Sequence, residues 1–92
     1  VADVVNGIEV RYFAAATDAS GCEKETVALP AGSDLGALRT VLVERYGPAM
    51  ERVLSVAAYL VEPGEGGTGE LTRDLSRLAG ARVDVLPPFA GG

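Results

Sequence analysis

The chain has 92 residues, 48% of them hydrophobic and 23% charged, the composition of one small globular domain with a modest core. Its net charge of −5 argues against a basic phosphate-binding face. No apolar run approaches the ~18 residues of a membrane span. The expectations are therefore no nucleic-acid partner, no membrane partner and a cytoplasmic location.

Cys22 is the single cysteine, which excludes an internal disulfide, and there is no histidine. Without histidine the chain lacks the commonest general base and the commonest zinc ligand. No metal site and no cofactor bound by the chain itself are expected.

In chain order, Val1–Gly7 reads as a loose lead-in. From Ile8 the pattern alternates, with Ile8, Val10 and Tyr12 on one face and Glu9 and Arg11 on the other, so a strand with one buried side begins there. Phe13 falls on the polar face: either the strand ends or twists and buries it, or it contacts a partner. Ala14–Gly21 reads as a connection rich in turn formers (Thr17, Asp18, Ser20). Glu23–Leu29 is a second strand with Val27 and Leu29 inward, pairing antiparallel with the first. Ser33 is the expected N-cap of a helix carrying Leu35, Leu38, Val41, Leu42 and Tyr46, ended by Gly47 and Pro48. Gly36 weakens that helix by roughly 1 kcal/mol unless its bareness permits close packing. Pro48–Leu54 forms a short second turn.

Val56–Val61 is a nearly continuous apolar run, as in a central strand. The loop from Pro63 to Gly69 is too irregular for a dinucleotide fingerprint. Leu71-Thr72 makes a short strand, Leu75 and Leu78 a tight apolar turn, and Arg82–Leu86 the last strand. In that strand Val83 and Val85 point one way, Asp84 and Leu86 the other. One amphipathic helix across a mixed sheet of four or five strands accommodates these faces. The fold class is α+β, the β-grasp or ubiquitin-like architecture. A lead-in spans 1–7, the domain 8–86 and an extended tail 87–92.

The tail, Pro87-Pro88-Phe89-Ala90-Gly91-Gly92, is the chemically pointed element. The prolines bias it to an extended form and lower its ordering cost on binding. Six residues at about 3.3 Å each reach roughly 20 Å, enough to thread a buried active site. Phe89 offers an apolar anchor, and Gly91-Gly92 pass where side chains would clash. A carboxylate is a poor electrophile until ATP converts it to an acyl-adenylate. Sulfur delivery then makes a thiocarboxylate. The chain has no histidine base and no P-loop for this, so an ATP-using partner is required. Cys22, far from the tail in sequence, is read as incidental, and Lys24, the only lysine, as a solvated strand residue.

Leu86-Pro87-Pro88-Phe89-Ala90-Gly91-Gly92 resembles the C-terminal signature of the MoaD-like small subunit of molybdopterin synthase. Val10-Arg11-Tyr12-Phe13-Ala14 resembles that family's first strand. The likeness covers about residues 8–92. It implies a sulfur carrier: Gly92 adenylated by a MoeB-like enzyme using ATP, then thiocarboxylated with sulfur from a persulfide donor. The charged tail would enter a MoaE-like large subunit in a heterotetramer and donate sulfur to a pterin precursor. By the same resemblance Phe13 and Leu86, with Leu71 as a third member, contact the partner through an apolar patch. The chain departs from the family at Thr17-Asp18, at the longer Gly64–Gly69 loop and in the Val1–Asn6 extension. Alternatives are a ThiS-like carrier for thiamine or cysteine biosynthesis, a protein modifier that joins Gly92 to lysines, and a binding module with an inert terminus.

Overall fold

Ile8, Val10 and Tyr12 give the first strand an apolar face, and the fold is organised around covering it. The computed structural model describes residues 5–62 and 68–88. The elements run β1 (Val5–Tyr12), α1 (Ala15–Ser20), β2 (Lys24–Pro30), α2 (Leu35–Tyr46), α3 (Pro48–Val56), β3 (Ala58–Glu62), β4 (Glu70–Thr72) and β5 (Arg82–Leu86). Among the described residues the strands form one mixed sheet in the order β2-β1-β5-β3-β4. β1 pairs antiparallel with β2, placing Ile8 opposite Val27, and parallel with β5, placing Val10 beside Val83. β3 runs antiparallel to both β5 and β4.

One face of this sheet is covered and the other is open. The covered face contributes Ile8, Val10, Tyr12, Val27, Leu29, Tyr59, Val61, Val83 and Val85 to the core, all buried. Leu35, Leu38 and Leu42 of α2, each fully buried, close it from above, joined by Met50 and Leu54 of α3 and by Ala16 of α1. This is the expected β-grasp arrangement, with the antiparallel first pair and the inward Val83/Val85 face as read from the alternation.

Several local readings change. β1 begins at Val5, because Val5, Asn6 and Gly7 pair by main chain with Pro30, Leu29 and Ala28. The expected loose lead-in over 1–7 is therefore partly strand, a pairing that side-chain alternation cannot report; Val1–Val4 lie outside the described residues. Ala14–Gly21 is not a plain connection but contains α1, whose Thr17 and Asp18 suggested a turn and whose buried contribution is Ala16 alone. Ala14 ahead of it has φ 53° and ψ −126°, a region that L residues occupy at a cost of about 1–3 kcal/mol.

The N-cap of α2 is Asp34, not Ser33. The Asp34 carboxylate accepts from the Ala37 N–H at 2.8 Å, while the Ser33 hydroxyl donates to the Pro30 carbonyl. The segment holding Leu75 and Leu78 completes that cap. Its Arg77 and Leu75 carbonyls accept from the Leu35 and Gly36 N–H groups at 2.9 and 2.8 Å. Gly36 is bare for this reason: a Cβ there would stand 3.3 Å from Asp34 Oδ1 and 3.4 Å from the Leu75 carbonyl oxygen. The leucines themselves are largely exposed, so the segment serves α2 with its backbone rather than with an apolar turn.

Pro48 does more than stop α2. It occupies the first turn of α3, a helix of nine residues where a single turn was expected, and Val56 belongs to that helix rather than to β3. Gly47 joins the two helices at φ 81°, donating to the Val43 carbonyl at 2.7 Å and accepting from the Glu51 N–H. Of the expected Pro63–Gly69 loop, residues 63–67 lie outside the described residues.

Candidate functional site

The open face of the sheet is read from its registers. One row runs Lys24, Arg11, Asp84, Leu60, Leu71 across all five strands. The next row towards the end of β5 holds Leu86 beside Ala58, with Phe13 following β1 on the same side as Arg11. In the other direction lies the row Glu9, Arg82, Glu62. The face is thus charged at one end and apolar at the end from which the chain leaves β5.

Each part has a physical reason. Asp84 is 3% exposed, and a buried carboxylate is tolerated only when paired. Arg11 supplies the pair with two parallel bonds, Nε to Oδ1 at 2.7 Å and Nη2 to Oδ2 at 2.6 Å. Asp84 raises the Arg11 pKa, chiefly through these hydrogen bonds. The guanidinium carbon also lies 6.0 Å from the Phe13 ring centroid, so the ion pair supports the aromatic ring beside it. Arg82 bridges Glu9 and Glu62, each at 3.1 Å.

Phe13 and Leu71 remain 40% and 62% exposed, which is costly for side chains of that size, and Leu86 is half-buried. The three residues expected to contact a partner therefore share one face, two of them flanking the exit of the tail. The sequence reading missed Leu60 and Ala58, which extend the patch; the continuous apolar run of β3 concealed which of its residues face outward. It also missed the Arg11–Asp84 pair, whose signal was a lone acid between two inward valines.

Pro87 is buried and Pro88 exposed, so Pro87, expected in the extended tail, packs with the domain. Phe89, Ala90, Gly91 and Gly92 lie outside the described residues.

On the covered side, Glu25 accepts hydrogen bonds from the Tyr12 and Tyr46 hydroxyls and pairs with Arg45 at 2.7 Å. Burial alone would raise its carboxyl pKa; the two hydroxyls and Arg45 outweigh it and hold the carboxyl below its usual range. Burial and the Glu25 bond push Tyr46 up to about 12 and raise Tyr12 as well. The tyrosine rings meet edge to face at 6.3 Å. This cluster locks α2 to the β1–β2 pair. Cys22 is half-buried next to Ser20, in the turn between α1 and β2.

A sheet with one face shielded by helices, a shaped apolar patch on the other and a C-terminal strand at its centre defines a ubiquitin-like protein. Two solved structures share the fold. The small archaeal modifier protein 1 of Haloferax volcanii matches with a TM-score of 0.66 at 22% identity over 90% of this chain and 98% of its own. A putative molybdopterin converting factor, subunit 1, of Pyrococcus furiosus matches with 0.64 at 20% identity and the same coverages. No family model matches the chain. A molybdopterin synthase sulfur carrier subunit of Caenorhabditis briggsae is 31% identical over 85 residues, 92% of this chain and 96% of that protein. The chain belongs to the family of molybdopterin synthase sulfur carrier subunits, the MoaD-like proteins. No helix of the described residues is long and apolar enough to cross a membrane.

Proposed function

We propose that this protein is a cytoplasmic sulfur carrier whose Gly92 is adenylated and then thiocarboxylated, and that it delivers sulfur to a pterin precursor in molybdenum cofactor synthesis. The observation that carries the reading is the near full-length likeness to a molybdopterin synthase sulfur carrier subunit. An ATP-using, MoeB-like enzyme forms the acyl-adenylate, and a persulfide donor supplies the sulfur. A MoaE-like large subunit, two of each chain in the assembly, receives the tail.

The geometry supports this division of labour. Val83 and Val85, both fully buried, fasten β5 at the middle of the sheet, so the tail leaves from a rigid base. A fully extended stretch of five residues, the number from Pro88 to Gly92, reaches at most roughly 16 Å at about 3.3 Å each, enough to enter a cleft in a partner. Phe13, Leu86, Ala58, Leu60 and Leu71 give that partner an apolar surface beside the tail, and the Arg11–Asp84 pair sets polar register within it.

The likeness to a small archaeal modifier protein favours a second reading, in which Gly92 is joined to lysines of other proteins. One experiment separates the two. The chain is incubated with a MoeB-like enzyme, ATP and a sulfur donor, and its intact mass is read. Replacement of one oxygen by sulfur, mapped to Gly92, is the expected result. Isopeptide-linked larger species without that exchange would favour the modifier, and neither product with a competent enzyme would refute both.

A further inference from the structure

Among the described residues Ala14 is the single non-glycine residue at positive φ. The Ala16 N–H donates to the Phe13 carbonyl at 3.0 Å and closes a tight turn over residues 13–16. With φ 53° and ψ −126°, Ala14 has the angles of the first corner of a type II′ turn, a position that glycine takes because a Cβ is unfavourable there. The fold needs this turn, which reverses the chain after Tyr12 so that Ala16 enters the core. It does not need the methyl group. Ala14 is exposed and has no part in the core, where Ala16 and Ala57 are the buried alanines. Glycine makes the same turn without strain, so the Ala14 side chain weakens the free domain with no packing inside it to offset the loss.

On its outer side Ala14 lines a concave surface of about 770 Å³, together with Arg11, Phe13, Glu23 and Lys24. The wall of this recess is mostly apolar. Phe13 belongs both to the recess and to the exposed apolar patch of the open face, so the recess continues that patch around the end of β1. Its charges select no ion. Arg11 is neutralised by Asp84, and the exposed Glu23 and Lys24 carry opposite signs. An apolar side chain is the occupant that such a recess fits.

From the strained turn and the recess we infer that Ala14 is a binding residue: an apolar side chain of the large subunit enters the recess beside Phe13 and rests on the Ala14 methyl group. This rests on the proposed large-subunit partner and adds a contact to it. Strain that the free chain carries at Ala14 is offset only in the complex, where the methyl group is covered and loses its contact with water. Stability and affinity therefore respond to this position in opposite directions. A residue that merely shaped the fold would move both together.

The test compares the wild type, Ala14→Gly and a chain assembled by chemical ligation with D-alanine at position 14. D-alanine adopts these angles without strain and points its methyl group away from the native direction. Thermal denaturation should show both altered chains more stable than the wild type, Ala14→Gly by roughly 4–8 °C in Tm. Titration calorimetry against a MoaE-like large subunit should show both binding about threefold to tenfold more weakly, the loss expected for one buried methyl group or slightly more. Ala14→Gly binding within twofold of the wild type would overturn the inference. Wild-type affinity in the D-alanine chain would do the same, since stiffness of the turn would then be all that matters. A Tm for Ala14→Gly no higher than the wild type would show that the fold itself uses the methyl group, which also overturns it. Phe13→Ala is titrated in parallel. If the wild type does not bind the large subunit, the partner reading fails together with the inference. If it binds and Phe13→Ala weakens binding while Ala14→Gly does not, the partner stands and only the role of Ala14 falls.

Discussion

Replacing Arg11 by leucine removes the guanidinium that pairs with Asp84 through two bonds of 2.7 and 2.6 Å. Breaking a fully buried pair from one side costs about 3–5 kcal/mol, because the remaining charge is stranded. Here the Asp84 side chain is 5% exposed but that of Arg11 is 35% exposed, so water can partly replace the lost cation. Discounting for that screening gives about 2 kcal/mol for R11L. For a domain of this size that lowers Tm by roughly 8–16 °C. The paired substitution R11L/D84L removes the stranded carboxylate as well and should recover most of the loss. The Arg11–Asp84 coupling in the double-mutant cycle should therefore be about 1–2 kcal/mol. Urea unfolding followed by far-ultraviolet circular dichroism measures both quantities, and an unchanged m value confirms that the unfolded states are comparable. R11L within about 0.5 kcal/mol of wild type, or a double variant that costs the sum of the singles, would show that Asp84 is not held by Arg11.

Four further outcomes are expected. Glu25 has a carboxyl pKa below its unfolded value of about 4.3, so its contribution is present above that pH and is lost as pH falls through the lower folded value. Glu25→Gln should flatten the acid limb of the stability–pH curve. Tyr46 works in the opposite direction: its contribution is present below pH about 10 and is lost as pH rises towards 12, and Tyr46→Phe should reduce that alkaline loss. Gly36→Ala, which in an open helix would gain about 1 kcal/mol, should gain nothing here because the added Cβ meets Asp34 and the Leu75 carbonyl; a full gain in thermal denaturation would contradict the packing. Phe13→Ala and Leu71→Asp should each weaken binding to the large subunit about tenfold or more in titration calorimetry while shifting Tm by only a few degrees, since both side chains are exposed.

The elements whose burial follows a simple period were legible in the sequence. Val27 and Leu29, Val83 and Val85, and Leu35, Leu38 and Leu42 are each buried as their spacing required. The open face was legible where a hydrophobe stood out of phase, as Phe13 does after Arg11 and Leu86 after Asp84. Three kinds of information were not local. The first turn of α2 is capped by carbonyls more than thirty residues downstream, so Ser33 and Asp34 could not be told apart by composition. α1 is short and buries a single alanine, which leaves no apolar stripe for a pattern to find. The outward direction of Leu60 depends on its pairing with Asp84 and Leu71, a register that the uniform run Ala57–Val61 does not encode.

β5 lies between β1 and β3, and the strands on its two flanks are otherwise separate pairs, β1 with β2 and β3 with β4. Until residues 82–86 are in place there is no continuous sheet, only two ribbons too small to be stable alone. Its contact with β1 also spans more than seventy residues, a long-range pairing of the kind whose loop-closure cost slows folding. The row Arg11, Asp84, Leu60 that crosses β1, β5 and β3 therefore exists only on molecules whose sheet has closed, so the open face itself reports that the chain has folded.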